Sequence, residues 1–249
     1  MPSFASYPSL KDRSVFISGG GSGIGASIVE HFAAQGSKVG FVDIDEPASK
    51  AIAQKTGALF IKCDIRDVKA YQAAISEAAG KHGPITALIN NAARDDRHEL
   101  EDVTPEFFDE RIAVNLRHAF FAIQAVAPGM KKAGGGSIVN FSSISYHTMT
   151  ANLSVYQAAK AATIGMTRGL ARDLGPDKIR LNSITPGWIM TQRQIDLWLT
   201  PEAEADLMKA QVLKEKVYPP DIARMALFLA ADDSRLISGQ NFVVDGGRM

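Results

Sequence analysis

The stretch that most restricts the fold of this chain is SGGGSGIG, residues 18–25, which lies between a short apolar segment and a helical pattern. The apolar segment, SVFIS at 14–18, has the length and the β-branched content of a buried strand. Glycines let the backbone turn sharply, and the N–H groups at the start of the following helix can bind a phosphate. Taken alone, such a turn is equally compatible with a tight connection that binds nothing. The stretch therefore predicts a strand–turn–helix unit and leaves both interpretations open.

Short apolar segments alternate with longer helical patterns along the whole chain, and several of the apolar segments are continuous, as in strands covered on both faces. The predicted strands lie at 14–18, 38–43, 58–63, 85–90, 137–142, 179–185 and 241–245. The predicted helices lie near 24–35, 67–82, 105–131, 155–175 and 220–231. This alternation predicts a single α/β domain over 1–249, a Rossmann-type doubly wound seven-stranded parallel sheet with helices on both faces.

The composition limits the kinds of partner. Lys plus Arg and Asp plus Glu each number 27, so the net charge is zero, and no basic run favours nucleic acid or an anionic membrane. Cys63 is the single cysteine, and the five histidines show no metal-ligand spacing. No apolar run approaches the roughly 18 residues of a membrane helix. The N-terminal MPSFASYPSLKDRS does not resemble a signal peptide. These features predict a soluble, cytoplasmic protein that binds a small molecule and no metal.

The second predicted strand ends in Asp43, 18 residues beyond Gly25. A carboxylate at this position can accept hydrogen bonds from the ribose hydroxyls of a dinucleotide, and it would repel a 2′-phosphate by roughly 1–4 kcal/mol. Neither Ser22 nor Ile44 supplies the positive charge that a 2′-phosphate requires. The pattern favours NAD over NADP, with an ordinary strand-end turn as the alternative.

Two further turns follow consecutive predicted strands. CDI at 63–65 places Asp64 where it can meet the adenine amino group, and NNAA at 90–93 can pass its backbone beside a ribose. Ligands of doubly wound sheets bind at the carboxyl ends of the strands. Each turn alone is unremarkable, and only its position in the predicted sheet favours a nucleotide site.

Six motifs appear in the order and spacing of the short-chain dehydrogenase/reductases, and the resemblance covers the chain from Leu10 to VVDGGRM. They are SGGGSGIG, NNAA, IAVNLRHAFF, NFSSIS, SVYQAAK and TPGWIMT. Two positions depart mildly from the family pattern, since Ser18 replaces a threonine and Ala93 replaces a glycine. The stretches NNAARDDRHELEDVT and QAVAPGMKKAGGGSIVNFSSISYH are also similar to bacterial NAD-dependent aldose 1-dehydrogenases, which oxidise xylose, arabinose, fucose or related sugars to the lactone.

The resemblance implies four catalytic residues. Tyr156 and Lys160 share one face of a helix at i and i+4, a pair that by itself is typical of a solvent-exposed surface. An ammonium group beside the phenol, together with a positive nicotinamide ring, is expected to lower the pKa of Tyr156 by about 1–3 units, so that it can act as the base. The resemblance implies that Ser143 stabilises the reacting oxygen and that Asn115 holds a water that links Lys160 to solvent.

The resemblance also implies sets of binding residues. The predicted cofactor-binding residues are Gly19, Ser22, Gly23, Ile24, Gly25, Asp43, Ile44, Asp64, Ile65, Asn91, Ala92, Ala93, Tyr156, Lys160, Pro186, Gly187, Ile189 and Thr191. The candidate sugar-binding residues are Arg94, Ser143, Ser145, His147, Asn152, Tyr156, Trp188 and Gln192. Residues 188–217 are expected to form a substrate lid, with a surface helical hairpin as the alternative.

Several functions remain open on this basis. The leading one is an NAD-dependent sugar dehydrogenase acting at C1 of a pentose or 6-deoxyhexose. The alternatives keep the enzyme class but change the substrate to a sugar acid such as a 2-keto-3-deoxy acid, a steroid, or a carbonyl compound reduced by NADPH. A non-catalytic nucleotide sensor is disfavoured because the tyrosine, lysine and serine are all present. The family also implies a homotetramer that pairs the helices at 105–131 and 155–175.

Overall fold

The computed structural model describes residues 4–249 and shows one seven-stranded sheet in the order β3-β2-β1-β4-β5-β6-β7, with every neighbouring pair parallel. The strands are β1 (Ser14–Ser18), β2 (Lys38–Asp43), β3 (Leu59–Lys62), β4 (Ala87–Asn90), β5 (Gly136–Phe141), β6 (Ile179–Pro186) and β7 (Asn241–Val244). The predicted fold class is confirmed, and each predicted strand is found within two residues of its expected bounds. The N-terminal stretch interpreted above includes residues 1–3, which lie outside the described residues.

The described part of the chain forms these α-helices: α1 (Gly23–Ala34), α2 (Glu46–Thr56), α3 (Val68–His82), α4 (Pro105–Ile112), α5 (His118–Lys132), α6 (Ser154–Leu174), α7 (Gln192–Trp198), α8 (Pro201–Ala210) and α9 (Pro219–Ala230). Within residues 4–249, none of them is both long enough and apolar enough to cross a membrane.

Helix α2 was absent from the prediction. The Asp45 side chain caps it by accepting a hydrogen bond from the backbone N–H of Ala48, and Gly57 ends it with a φ of 73°. These local start and stop signals are the usual ones. Ser49 is the only buried residue of α2, so the sequence contains no apolar repeat that would reveal the helix.

The helix predicted over 105–131 is interrupted. A π-helical segment, Ala113–Arg117, separates α4 from α5 and contains Asn115. The extra residue in this turn is characteristic of functional sites. Side-chain periodicity does not reveal such a segment, because the apolar positions on both sides still follow a helical spacing.

Apolar layers cover both faces of the sheet. On one face, Phe41 and Ile89 belong to a core completed by α1 and α9, and on the other, Phe16 and Leu88 belong to a core completed by α3 and α5. Full burial of a side chain such as Phe16 contributes about 1.5–3 kcal/mol to folding. The two layers hold the strands in register, so their carboxyl ends lie together at one edge. The strand order reverses between β1 and β4, where open α/β sheets bind ligands.

Candidate active site

Two adjoining cavities lie at the carboxyl edge of the sheet. The nucleotide cavity, about 390 Å³, contains the glycine turn, and the catalytic cavity, about 470 Å³, contains Tyr156 and Lys160. Four residues line both cavities and make them one continuous groove: Ile24, Asn91, Ala93 and Thr191. All of the predicted cofactor-binding residues line one cavity or the other.

The glycine turn between β1 and α1 is closed by tight backbone contacts. Gly19 has a φ of 71°, and a Cβ added at Gly25 would lie 1.7 Å from the Gly19 carbonyl oxygen. The Asn91 side-chain amide donates hydrogen bonds to the carbonyl oxygens of Ser18 and Gly19, at 3.2 and 3.0 Å. The close approach explains the need for glycine at position 25, and it leaves the start of α1 facing the nucleotide cavity.

Ser18 joins this turn to the end of β4. Its fully buried hydroxyl oxygen accepts hydrogen bonds from the backbone N–H groups of Asn91 and Ala92, at 3.1 and 3.2 Å. The serine thus retains the hydroxyl of the threonine that the family pattern has here, and it holds the 90–93 turn against β1.

Asp43 lies at the end of β2 and lines the nucleotide cavity. Its carboxylate accepts hydrogen bonds from the backbone N–H groups of Gly21 and Asp45, at 2.9 and 3.0 Å. A carboxylate offers about four acceptor positions, so this arrangement leaves acceptor capacity for the hydroxyls of a bound ribose.

Asp64 also lines the nucleotide cavity, but its carboxylate is bound by Arg66, whose Nε lies 2.9 and 3.0 Å from the two oxygens. This contact holds the pKa of Asp64 below its usual value. Arg66 forms a second ion pair with Glu110 at 2.7 Å. The sequence analysis did not identify Arg66 as a residue of this cavity. Its guanidinium is neutralised by the carboxylates of Asp64 and Glu110.

Lys160, predicted to be catalytic, is anchored between α6 and β5. Lys160 Nζ donates a hydrogen bond to the Phe141 carbonyl oxygen at 2.9 Å and lies 5.6 Å from the centre of the Tyr156 ring. The hydroxyl of Ser142 donates to the Lys160 carbonyl oxygen at 2.7 Å, so Ser142 is committed to the backbone. Ser143 lines the same cavity as Tyr156, and its hydroxyl oxygen accepts a hydrogen bond from the Ser145 N–H at 3.2 Å, which leaves its hydroxyl proton available to a ligand. The catalytic role of Ser143 stays a prediction.

Burial controls the protonation of this pair. It raises the pKa of Tyr156, and the charge of Asp95 raises it further, whereas Ser143, Arg97 and Arg193 act in the opposite direction. The expected lowering of the Tyr156 pKa is therefore not found in the protein alone, because its buried site disfavours the phenolate. Burial also lowers the pKa of Lys160 to about 8.

Asn115 supports the turn that follows β4. Its side-chain oxygen accepts a hydrogen bond from the Arg94 N–H at 2.9 Å, and its amide nitrogen donates to the Arg94 carbonyl oxygen at 3.0 Å. The buried π-helical segment presents this amide to the turn. The predicted role of Asn115 in holding a water stays a prediction.

The candidate sugar-binding residues separate into three groups. Ser143, Ser145, Tyr156 and Trp188 line the catalytic cavity. Arg94 and Gln192 line the nucleotide cavity instead.

His147 and Asn152 line neither cavity. The exposed ring of His147 packs against Tyr146, with the ring centres 3.9 Å apart, and Asn152 donates a hydrogen bond to Glu99 at 2.8 Å. Their nearness in sequence to the catalytic motifs was misleading because the turns at 144–152 carry both side chains out of the cavity.

Sequence reasoning missed several residues of the catalytic cavity, chiefly Asp95, Arg97, Gln194, Trp198 and Arg248. Charged residues make up most of the loop RDDRH at 94–98, which contains Asp95 and Arg97, a composition typical of a solvated loop. Gln194 and Trp198 are four residues apart on α7, a spacing that places them on one helix face. No local signal distinguishes Arg248, which reaches the cavity from the segment after β7.

Helix α7 is docked onto the loop after β4. Gln194 donates a hydrogen bond to Asp95 at 2.9 Å and accepts one from the indole N–H of Trp188 at 2.9 Å. Arg193 forms ion pairs with Asp95 and Asp96. These contacts hold α7 beside both cavities, which its residues Gln192, Arg193, Gln194 and Trp198 line. Residues 188–217, the expected lid, contain two short helices, α7 and α8.

Comparisons with known proteins agree with this geometry. Residues 19–248 match the family model described as enoyl-(acyl carrier protein) reductase. The chain is 50% identical to "Probable galactose dehydrogenase GalD" of Rhizobium meliloti, over 97% of this chain and 96% of that protein. It is 48% identical to a D-xylose 1-dehydrogenase of Caulobacter vibrioides, over 98% and 99% of the two chains.

Solved structures show the same fold. A blue fluorescent protein from a metagenomic library, in complex with NADPH, is 34% identical with a TM-score of 0.89, over 96% of this chain and 99% of that one. A short-chain type dehydrogenase/reductase from Mycobacterium ulcerans is 26% identical with a TM-score of 0.91, over 98% and 91% of the chains. The sheet order, the groove and these full-length similarities agree, and the chain belongs to the short-chain dehydrogenase/reductase family of oxidoreductases.

Proposed function

We propose that this protein oxidises an aldose at its anomeric carbon to the lactone, with NAD as the hydride acceptor. The observation that carries the proposal is the position of Tyr156 and Ser143 in a cavity continuous with the nucleotide cavity. Full-length relatives named as galactose and xylose dehydrogenases support a sugar as the substrate. Pentoses and 6-deoxyhexoses are the first aldoses to test.

The lining of the catalytic cavity suits a polyhydroxylated molecule. Hydroxyl groups from Ser143, Ser145, Thr148 and Thr150 lie among apolar side chains, and Trp188 offers a flat face. Ligand sites commonly combine an apolar wall with a few polar groups that orient the ligand.

The residues of the nucleotide cavity suit NAD better than NADP. Asp43 retains acceptor capacity for ribose hydroxyls, whereas a 2′-phosphate would meet its negative charge. Arg66, the nearby guanidinium, is matched by Asp64 and Glu110. The related blue fluorescent protein binds NADPH, but we expect Asp43 to set the cofactor preference of this chain in favour of NAD.

Each of three residues has its own role in the reaction. Tyr156 takes the proton of the sugar hydroxyl, and Ser143 donates a hydrogen bond to the reacting oxygen. The bound nicotinamide accepts the hydride. Lys160 relays the proton toward solvent, and its contact with the Phe141 carbonyl keeps it beside the tyrosine. We also expect Lys160 to bind the ribose hydroxyls of the cofactor.

A second candidate is the oxidation of a secondary alcohol in a sugar acid, such as a 2-keto-3-deoxy acid. The same tyrosine, lysine and serine would act on it. Arg97 and Arg248 favour this candidate because their positive charges line the catalytic cavity.

The proposal also includes a lid over the sugar, a homotetrameric assembly and a cytoplasmic location. We expect α7 and α8 to close over the sugar and exclude water, as lids in many enzymes do. We also expect a homotetramer, which the exposure of Phe108 and Phe120, 44% and 43%, on α4 and α5 supports. Light scattering tests the assembly, and a monomer at micromolar concentration would contradict it. Cytoplasmic location stays a prediction.

The deciding experiment measures NAD reduction across pentoses, hexoses, 6-deoxyhexoses and 2-keto-3-deoxy acids, with Tyr156→Phe as the inactive control. Aldose oxidation with lactone as the first product supports the proposal. Oxidation of the 2-keto-3-deoxy acids alone would replace it with the second candidate, and no turnover of any of these compounds or of uronic acids would reject both.

A further inference from the structure

The arginines around the groove fall into two groups. Four of them form ion pairs with carboxylates of the chain: Arg66, Arg94, Arg111 and Arg193. Arg97 and Arg248, which line the catalytic cavity, form no ion pair within residues 4–249. The two arginines that face the cavity are thus the ones without an internal anion.

Arg97 is held in place without its charge being neutralised. One terminal nitrogen donates a hydrogen bond to the Ala151 carbonyl oxygen at 3.2 Å, and the guanidinium stacks over the Trp198 ring at 4.9 Å. Its Nε is buried and has no hydrogen-bond partner among the described residues. The adjacent acid, Asp96, pairs with Arg94 and Arg111, and Glu99 is bound by Asn152. Arg97 is therefore oriented by its neighbours but retains unused donors.

Arg248 is positioned by an ordered segment, 245–249. The backbone N–H groups of Val212 and Leu213 donate to the carbonyl oxygens of Gly247 and Gly246, at 3.1 and 2.9 Å. The Asp245 carboxylate accepts from the N–H groups of Gly247 and Met249, at 2.8 and 2.9 Å. The backbone is thus fixed on both sides of Arg248, which is partly buried.

The charge of the catalytic cavity is unbalanced. Three cationic side chains line it, Arg97, Lys160 and Arg248, and the one acidic side chain among the described lining residues is Asp95. Asp95 is already bound by Arg193 and Gln194. A planar guanidinium with free N–H donors binds carboxylates strongly, by charge-assisted and often paired hydrogen bonds.

We propose that Arg97 and Arg248 form an anion subsite in the catalytic cavity that binds a carboxylate on the sugar substrate. This inference rests on the proposed function and narrows its substrate class. For oxidation at C1 the sugar is a uronic acid, and for the second candidate it is a 2-keto-3-deoxy acid; the carboxylate is common to both.

The test uses sugars that share their configuration at C2 to C4 and differ only in the substituent at C5. D-Xylose, D-glucose and D-glucuronate form one such series, and L-arabinose, D-galactose and D-galacturonate form another. The kcat/KM of the wild-type enzyme with NAD is expected to be about tenfold or more higher for the uronate than for the matching hexose. A 2-keto-3-deoxy acid, assayed in parallel, distinguishes the two sources of the carboxylate.

Arg248→Gln and Arg97→Gln are each expected to reduce the ratio of kcat/KM for the acid to kcat/KM for the matching pentose by about tenfold or more. Arg97 also lowers the pKa of Tyr156, and this effect is common to both sugars, so the ratio isolates the loss of the carboxylate contact. Arg248→Lys keeps the charge but loses the paired donors, so its kcat/KM for the acid should lie between those of the wild type and Arg248→Gln. Arg235→Gln changes an exposed arginine outside both cavities and is the matched control. The preference for the acid should also weaken as NaCl is added, because salt screens the attraction.

The proposal is overturned if the wild type oxidises the neutral hexose as well as the acid, or if Arg248→Gln lowers kcat/KM equally for acid and neutral sugars. Should no sugar be oxidised, the proposed function fails, and calorimetry on the enzyme–NADH complex tests the subsite separately. Tighter binding of the uronate than of the hexose, lost in Arg248→Gln, would then support the subsite. Equal binding, or binding of neither, would reject it.

Discussion

Arg193 on α7 forms an ion pair with Asp95, the carboxylate that raises the pKa of Tyr156. Gln194, the next residue of the helix, donates a second hydrogen bond to the same carboxylate at 2.9 Å. The docked position of α7 therefore offsets a negative charge beside the phenol. We expect α7 to influence the base through this contact, because the helix carries the charge that compensates Asp95.

Arg193→Gln should shift the activity profile to higher pH. The substitution removes a charge that lowers the pKa of Tyr156, and a base with a higher pKa needs a higher pH to lose its proton. Asp95→Asn should shift the profile to lower pH. The pH dependence of kcat with a saturating sugar measures both effects, with Arg235→Gln as the control. Unchanged profiles in both variants would remove Asp95 and Arg193 from the control of the base.

Tyr156→Phe should reduce kcat by about 10²–10⁴-fold, the usual contribution of a general base. The ring remains, so packing in the catalytic cavity and NAD binding should persist. Turnover and NAD binding, the latter by fluorescence titration or calorimetry, are measured on the same preparation. Activity close to that of the wild type would show that another group takes the proton.

Asp43→Asn should weaken the preference for NAD. The amide retains an acceptor for the Asp45 N–H but carries no charge to repel a 2′-phosphate. The ratio of kcat/KM for NADP to that for NAD should rise by about tenfold or more, consistent with roughly 1–4 kcal/mol of repulsion. An unchanged ratio would mean that other groups of the nucleotide cavity select the cofactor. Asp45→Asn, two residues along and outside both cavities, is the control.

Arg94→Ala should raise the KM for NAD more than the KM for the sugar. The sequence placed Arg94 among the sugar-binding candidates, but its side chain lines the nucleotide cavity and pairs with Asp96 at 2.8 Å. Initial-rate measurements with each substrate varied in turn separate the two constants. A selective rise in the KM for the sugar would restore the original assignment.

Ser18→Ala should destabilise the fold by about 1–3 kcal/mol, the cost of leaving buried donors unsatisfied. Two backbone N–H groups, those of Asn91 and Ala92, would lose their acceptor. Ser18→Thr keeps the oxygen and should be close to neutral. Urea unfolding measures the free energy of unfolding for both variants. Equal stability of Ser18→Ala and wild type would show that the two N–H groups find water or another acceptor.

Local patterns in the sequence predicted most of the fold. Continuous apolar segments identified the strands of a sheet buried on both faces, and the glycine turn with Asp43 located the nucleotide end. Helix α2 escaped because its start and stop signals surround a segment with almost no buried side chain. The π-helical turn at Asn115 escaped because one additional residue hardly disturbs the spacing of apolar positions on either side.

The sequence by itself determined the order of most elements and the edge of the sheet at which a ligand binds, since these follow from spacing within single strands and helices. Its resemblance to the short-chain dehydrogenase/reductases, rather than spacing alone, pointed to Tyr156, Lys160 and Ser143 as residues that could act together. Only the tertiary structure decided which charges face the substrate. Asp95, Arg97 and Arg248 reach one cavity from segments far apart in the chain, while His147 and Asn152 turn away from it. An arginine forms an ion pair only if another helix, strand or loop brings a carboxylate next to it. The spacing of residues along the chain does not show which carboxylates these are.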